Sequence, residues 1–149
     1  MSKNIEELAS HLQPLLQRLS IGERSKLAKQ VGRDLRERQK RRITSQQNPD
    51  GSGYTPRRKR LREQKSKIKR KMFTKLKNNT NLKLLSNADA IAIGFVGRVS
   101  RIADVHQRGL KDRAEAGAPN VVYPTREILG FTDQDIKLIE DSFLKHINL

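Results

Sequence analysis

The run from Arg57 to Lys77, RRKRLREQKSKIKRKMFTKLK, constrains this chain more than any other stretch. It holds twelve Lys or Arg residues against a single acid, Glu63. Such a segment repels itself and has little apolar surface to offset chain entropy, so it belongs in solvent or against a partner. The helix expected just before it adds nine basic residues between Arg24 and Arg42, against Asp34 and Glu37. From Arg24 to Lys77 there are 21 basic and 4 acidic residues; the rest of the chain has 11 and 12. The whole excess of positive charge therefore sits in the middle third. With a pI near 10.7, the chain calls for a polyanionic or acidic partner.

A length of 149 residues fits one domain with one core. That domain is expected to include a basic extended segment at about 47–67. With no Trp, two Tyr and four Phe, the core must be mainly aliphatic. The absence of cysteine excludes disulfides, thiolate metal sites and a cysteine nucleophile. No apolar run approaches the ~20 residues of a membrane span, and no signal-peptide core opens the chain, so a soluble protein without a membrane partner is expected.

The apolar spacing sets out the elements. Ile5, Leu8, Leu12, Leu15, Leu16 and Leu19 predict an amphipathic helix over 4–19, kinked or divided at Pro14. Ser20-Ile21-Gly22-Glu23 is a capping box, and Leu27, Val31, Leu35 and Ile43 mark the buried stripe of a helix over about 21–46. Asn48-Pro49-Asp50-Gly51 ends that helix and opens a turn-rich linker over 47–56. Ile68, Met72 and Leu76, with Phe73, predict a short helix under a basic face.

From Leu82 the pattern alternates. Two short strands around Ser86-Asn87-Ala88-Asp89 predict an antiparallel hairpin, with Gly94 marking a bulge or a close backbone approach. A short helix should follow and stop at Gly109. A polar loop over 111–119 leads to a third strand, Val121-Val122-Tyr123, closed by Pro124. The last helix has Thr132 as N-cap, Asp133 and Asp135 at its positive end, and Ile136, Ile139, Phe143 and Ile147 as its buried stripe. The expected class is α+β: N-terminal helices, a small antiparallel sheet at about 82–123, and a C-terminal helix packed on it.

No catalytic constellation is visible. His11, His106 and His146 are scattered without metal-ligand spacing, and no glycine-rich phosphate loop is complete. An enzyme is not expected, nor a cofactor or metal. On charge alone the basic block admits contact with a nucleic-acid backbone, docking on an acidic protein, or a solvated face that keeps the protein in solution. It lacks aromatic interleaving beyond Tyr54 and Phe73, and it lacks any zinc-finger or RNA-recognition motif. The candidate contacts are Arg57, Arg58, Lys59, Arg60, Arg62, Lys65, Lys67, Lys69, Arg70 and Lys71. The Ile68–Leu76 stripe is short and has no Trp, which disfavours a lipid surface.

Three stretches in the second half then carry a resemblance. They are IGFVGRVSRIA from Ile93, VHQRGL from Val105, and YPTREILGF from Tyr123 to Phe131. With Gln47-Asn48-Pro49-Asp50-Gly51, Tyr54, Pro56 and Lys71-Met72-Phe73, their order and spacing over about residues 5–145 resemble the phage virion morphogenesis family, the tail-completion proteins of contractile-tailed phages and related prophages. The resemblance implies a structural protein at the head-proximal end of the tail, completing it for head–tail joining. It also implies self-association into a ring, since a tail has rotational symmetry. Its partners would be itself, other tail or neck proteins, and the DNA passing through the tail. It would be found first in the host cytoplasm and then in the virion. His106, Gly109, Pro124, Arg126 and Leu129 match the family pattern, as scaffold or interface positions. Gly109 is expected at positive φ and Pro124 at a turn, while Arg126, a charge between apolar residues, should need a partner. The competing expectation is a small basic nucleic-acid-binding protein of the ribosome- or nucleoid-associated type.

Overall fold

The computed structural model describes residues 5–57, 71–113 and 116–147. Their elements run α1 (Ile5–Leu16), α2 (Ile21–Thr44), β1 (Leu82–Ser86), β2 (Ile91–Phe95), α3 (Arg98–Arg108), β3 (Lys111–Arg113), β4 (Asn120–Val122) and α4 (Asp133–Ile147). The class is α+β. The described residues divide into two compact units, one of residues 5–38, 82–94 and 131–147 and the other of 39–57, 71–81, 95–113 and 116–130.

The first unit is built on helix stripes. Leu8 and Leu12 of α1, Leu27, Val31 and Leu35 of α2, and Ile136 and Phe143 of α4 form one buried cluster. Their three- and four-residue spacing puts them on one face of each helix, and each fully buried side chain contributes about 1.5–3 kcal/mol. The N-termini of α2 and α4 are closed as their sequences predict. Ser20 and Glu23 exchange reciprocal hydrogen bonds of 3.2 Å at the start of α2. Thr132 and Asp135 do the same at α4, at 3.0 and 2.9 Å. Asp135 is almost wholly buried, and its carboxylate also takes the Arg38 guanidinium as an ion pair. Pro14 neither divides α1 nor ends it, since the helix runs two residues further, to Leu16.

The hairpin turns where expected. Asn87 N–H donates to Ala90 O, and the Asn87 side chain accepts from the N–H groups of Asp89 and Ala90. Leu84 and Ile91 lie over Gly32 of α2, where a Cβ would come within 2.6 Å of Leu84 Cδ1. Gly94 has no such role: a Cβ there would meet nothing within 4 Å. The single sheet expected over 82–123 is instead two separate two-stranded sheets, β1–β2 and β3–β4. The polar loop expected over 111–119 opens with β3, which pairs Lys111, Asp112 and Arg113 with Val122, Val121 and Asn120. Alternation of apolar residues cannot reveal a strand whose three residues are all charged. α4 packs mainly on helices, and Ile93 is the hairpin's contribution to that core.

The second unit has a smaller apolar centre of Ile43, Leu76, Ala103 and Ile128, with Phe73, Phe95 and Val99 against it. Much of its cohesion is polar. Residues 126–130 form no regular element, yet side chains satisfy their backbone in turn. Arg42 Nη2 donates to Ile128 O at 2.6 Å, and Gln107 accepts from the N–H groups of Ile128 and Leu129 at 2.8 and 2.9 Å. The Gln107 amide also donates to Leu129 O at 2.8 Å, and Gln39 pairs with both the N–H and the carbonyl of Gly130. A primary amide has one donor group and one acceptor, so each glutamine binds a peptide group as a neighbouring strand would.

Two expectations about the middle of the chain change here. Residues 47–53 of the expected linker are a closed turn: Gln47 bridges to Gly53, and Asn48 N–H donates to Ser52 O at 2.8 Å. The short helix around Met72 and Leu76 is absent from its described part. Phe73 has φ of 65°, outside the helical region, and residues 72–77 form turns in which Leu76 and Lys77 donate back to Phe73 O.

Candidate functional site: the anchored base of the basic segment

Both flanks of the basic segment are held within the second unit. On the leading side, Arg126 is 3% exposed. Its Nε donates to Thr55 O at 2.7 Å and its Nη2 to Pro56 O at 3.2 Å. On the trailing side, Gln46, two residues past α2 at φ 56°, pairs with Met72, accepting from its N–H and donating to its carbonyl, both at 2.8 Å. Lys71 adds a bond from Nζ to Thr44 O at 3.0 Å. Tyr54 N–H donates to Gln46 O at 2.8 Å, so one residue holds both flanks.

Rings join the same place. Tyr54 meets Phe73 edge to face with centroids 5.6 Å apart, Phe73 meets His106 at 4.8 Å, and His106 meets Tyr123 at 5.0 Å. Edge-to-face contacts match the positive rim of one ring with the negative face of the next, and each is worth about 0.5–1.5 kcal/mol beyond area burial. Burial, then the charges of Arg126 and Arg57, hold the His106 imidazole down at about 4, so it is neutral at physiological pH. Burial also pushes the Tyr54 hydroxyl up. Burial and the Arg57 charge lower Arg126, which remains a cation because a guanidinium does not deprotonate in proteins. There is no nucleophile–base pair here. The arrangement can hold two stretches of backbone together under a high local positive charge.

Of the predicted contacts, Arg57 lies exposed at one flank and Lys71 at the other. Arg58, Lys59, Arg60, Arg62, Lys65, Lys67, Lys69 and Arg70 lie outside the described residues. The five family-pattern positions fall in this same unit. His106 and Arg126 touch directly, and Arg126 N–H donates to His106 O at 2.8 Å. Gly109 caps α3 in the left-handed conformation at φ 65°, where a Cβ would stand 2.5 Å from Thr125 Oγ1. Pro124 lies two residues beyond β4 in a stretch of no regular structure, and Leu129 is held through its backbone by Gln107. Arg126, expected to need a partner, has Thr55, Pro56 and His106 within its own unit. Sequence reasoning missed Gln39, Gln46 and Gln107, because a glutamine in a polar stretch carries no pattern that distinguishes it from a solvated one.

Among the described residues no cluster of His, Asp or Glu could hold a metal ion, and no helix is long and apolar enough to cross a membrane. A shallow groove along α1 is lined by Glu6, Glu7, Ser10 and His11 and contains none of the predicted site residues.

A side-chain-held motif over 126–130 and a glycine-capped α3 are the parts of the chain that carried the resemblance, and comparison with known proteins agrees. The chain belongs to the phage virion morphogenesis family, whose model matches residues 3–148. It is similar to tail completion protein S of Escherichia phage P2, with 36% identity over 135 residues, which is 89% of this chain and 90% of that protein. No solved structure matches it.

Proposed function

We propose that this protein completes the head-proximal end of a contractile phage tail and makes the tail competent to join the head, acting as a ring-shaped homo-oligomer. The observation that carries this reading is the end-to-end similarity to tail completion protein S, which spans nearly all of both chains. The ring follows from symmetry: a component that closes a rotationally symmetric tube is most simply a cyclic oligomer with head-to-tail contacts. Its role is structural rather than enzymatic. The basic segment, held by both flanks, contacts acidic surfaces of neighbouring tail or neck proteins or the DNA that passes the ring. On this reading the protein assembles in the host cytoplasm and remains in the virion tail.

Electron microscopy of tails assembled without the protein tests the reading. Tails of normal length that fail to join heads are expected, and wholly normal virions would overturn it. Light scattering of the purified protein at moderate salt tests the ring separately. A ring-sized particle is expected, whereas a monomer or dimer would favour a free nucleic-acid-binding protein.

A further inference from the structure

The basic block has a second part that lies wholly on described residues. Lys26, Lys29, Arg33 and Arg36 of α2 follow one another at spacings of three, four and three. That spacing keeps them on one side of the helix, displaced from the stripe of Leu27, Val31 and Leu35 that faces the core. Lys26, Lys29 and Arg33 are exposed, and their side chains have no ion pair or hydrogen bond among the described residues. Arg36 is half-buried, and its Nε is buried without a hydrogen-bond partner among the described residues. The next position of the series, Lys40, is bonded to Asn79 and is not counted. Glu37, beside the end of the row, is itself engaged.

Four cations with no assigned partner, in a row on one face of a helix, raise the local positive potential and attract an extended anion. At a rise of 1.5 Å per residue the row is ~15 Å long. A duplex carries one negative charge per ~1.7 Å of axis with both strands counted, so a row of that length meets a dense run of phosphates. An acidic protein surface would satisfy it only with carboxylates at the same period, whereas a phosphate backbone presents charge at every position along it. We infer that this face of α2 is a contact surface for the sugar–phosphate backbone of double-stranded DNA, used without base-specific readout. The inference does not depend on the ring or on head–tail joining, since it concerns the α2 surface alone.

The test is fluorescence anisotropy of a labelled 20-base-pair duplex between 50 and 200 mM salt. It compares the full chain, the variant K26Q/K29Q/R33Q, and a control, K83Q/K137Q/K145Q, which removes three exposed lysines elsewhere. Circular dichroism melting confirms that each variant folds. Removing three phosphate contacts should flatten the slope of log affinity against log salt by about 2.7, so that the wild type loses about 40-fold more affinity than the variant over that range. The control should keep the wild-type slope. An α2 variant with the wild-type slope would overturn the inference, as would equal flattening in both variants, which would report net charge alone. Tighter binding of the wild type to polyglutamate than to the duplex would also overturn it, in favour of an acidic protein.

Discussion

His106 Nδ1 lies 3.0 Å from Nη1 of Arg126, and a guanidinium can only donate, so the imidazole accepts there and carries its proton on Nε2. Protonating Nδ1 would place two cations in contact, inside a row of rings and beside Arg57. The neutral histidine is therefore part of the clasp that holds Thr55 and Pro56.

A pH dependence follows. The folded-state value of about 4 lies below the ordinary 6.5, so the unfolded chain binds the His106 proton more readily than the folded one. The resulting stabilisation is complete above about pH 6.5 and is lost progressively as pH falls towards 4. The melting temperature should fall across that window. H106Q, which keeps an acceptor but does not titrate, should show a flatter profile over the same range. Equal pH profiles for the two proteins would contradict the account.

Arg126→Lys keeps the charge but loses the forked geometry that reaches Thr55 O, Pro56 O and His106 together. Hydrogen bonds from a charged donor are worth about 1.5–3 kcal/mol each, so a net loss of about 2 kcal/mol is expected in urea denaturation. A loss below about 0.5 kcal/mol would mean that the clasp does not hold the flank.

The paired glutamines predict an asymmetric response to an isosteric change. In Gln46→Glu and Gln107→Glu, the oxygen still accepts from Met72 N–H or from the Ile128 and Leu129 N–H groups. The other end then places a carboxylate oxygen against Met72 O or Leu129 O, where an N–H had donated. Each variant should lose about 1–3 kcal/mol at neutral pH. Part of that loss should be regained in acid, as protonation restores a donor.

Two glycines should behave in opposite ways. Gly109→Ala forces a Cβ into a left-handed position and to within 3.2 Å of Tyr123 O as well as Thr125 Oγ1, so a loss of about 2 kcal/mol or more is expected. Gly94→Ala, in open space within β2, should be neutral or stabilising by up to about 1 kcal/mol. Thermal melts of both variants measured together decide it.

Features whose information lies within one turn or one stripe could be read directly from the order of residues. The Ser20–Glu23 box, the Thr132 cap, the buried rows of α1, α2 and α4, the Asn87 turn and the Gly109 stop all depend on neighbours within about four residues, and all appear in the fold. The place of positive charge was likewise plain, because charge adds up residue by residue. The folded chain settled what depends on long-range pairing. It separated one expected sheet into two, since the charged residues of β3 become a strand only through β4. It put Phe73 at positive φ, replacing a short helix with turns. It gave Gln39, Gln46 and Gln107 their partners at Gly130, Met72 and Leu129. Arg126 could be recognised as a charge that needs a partner, but not as the residue that holds Thr55 and Pro56. Its hydrogen bonds reach backbone carbonyls some seventy positions away, and a carbonyl is the same in every residue, so no local pattern records it.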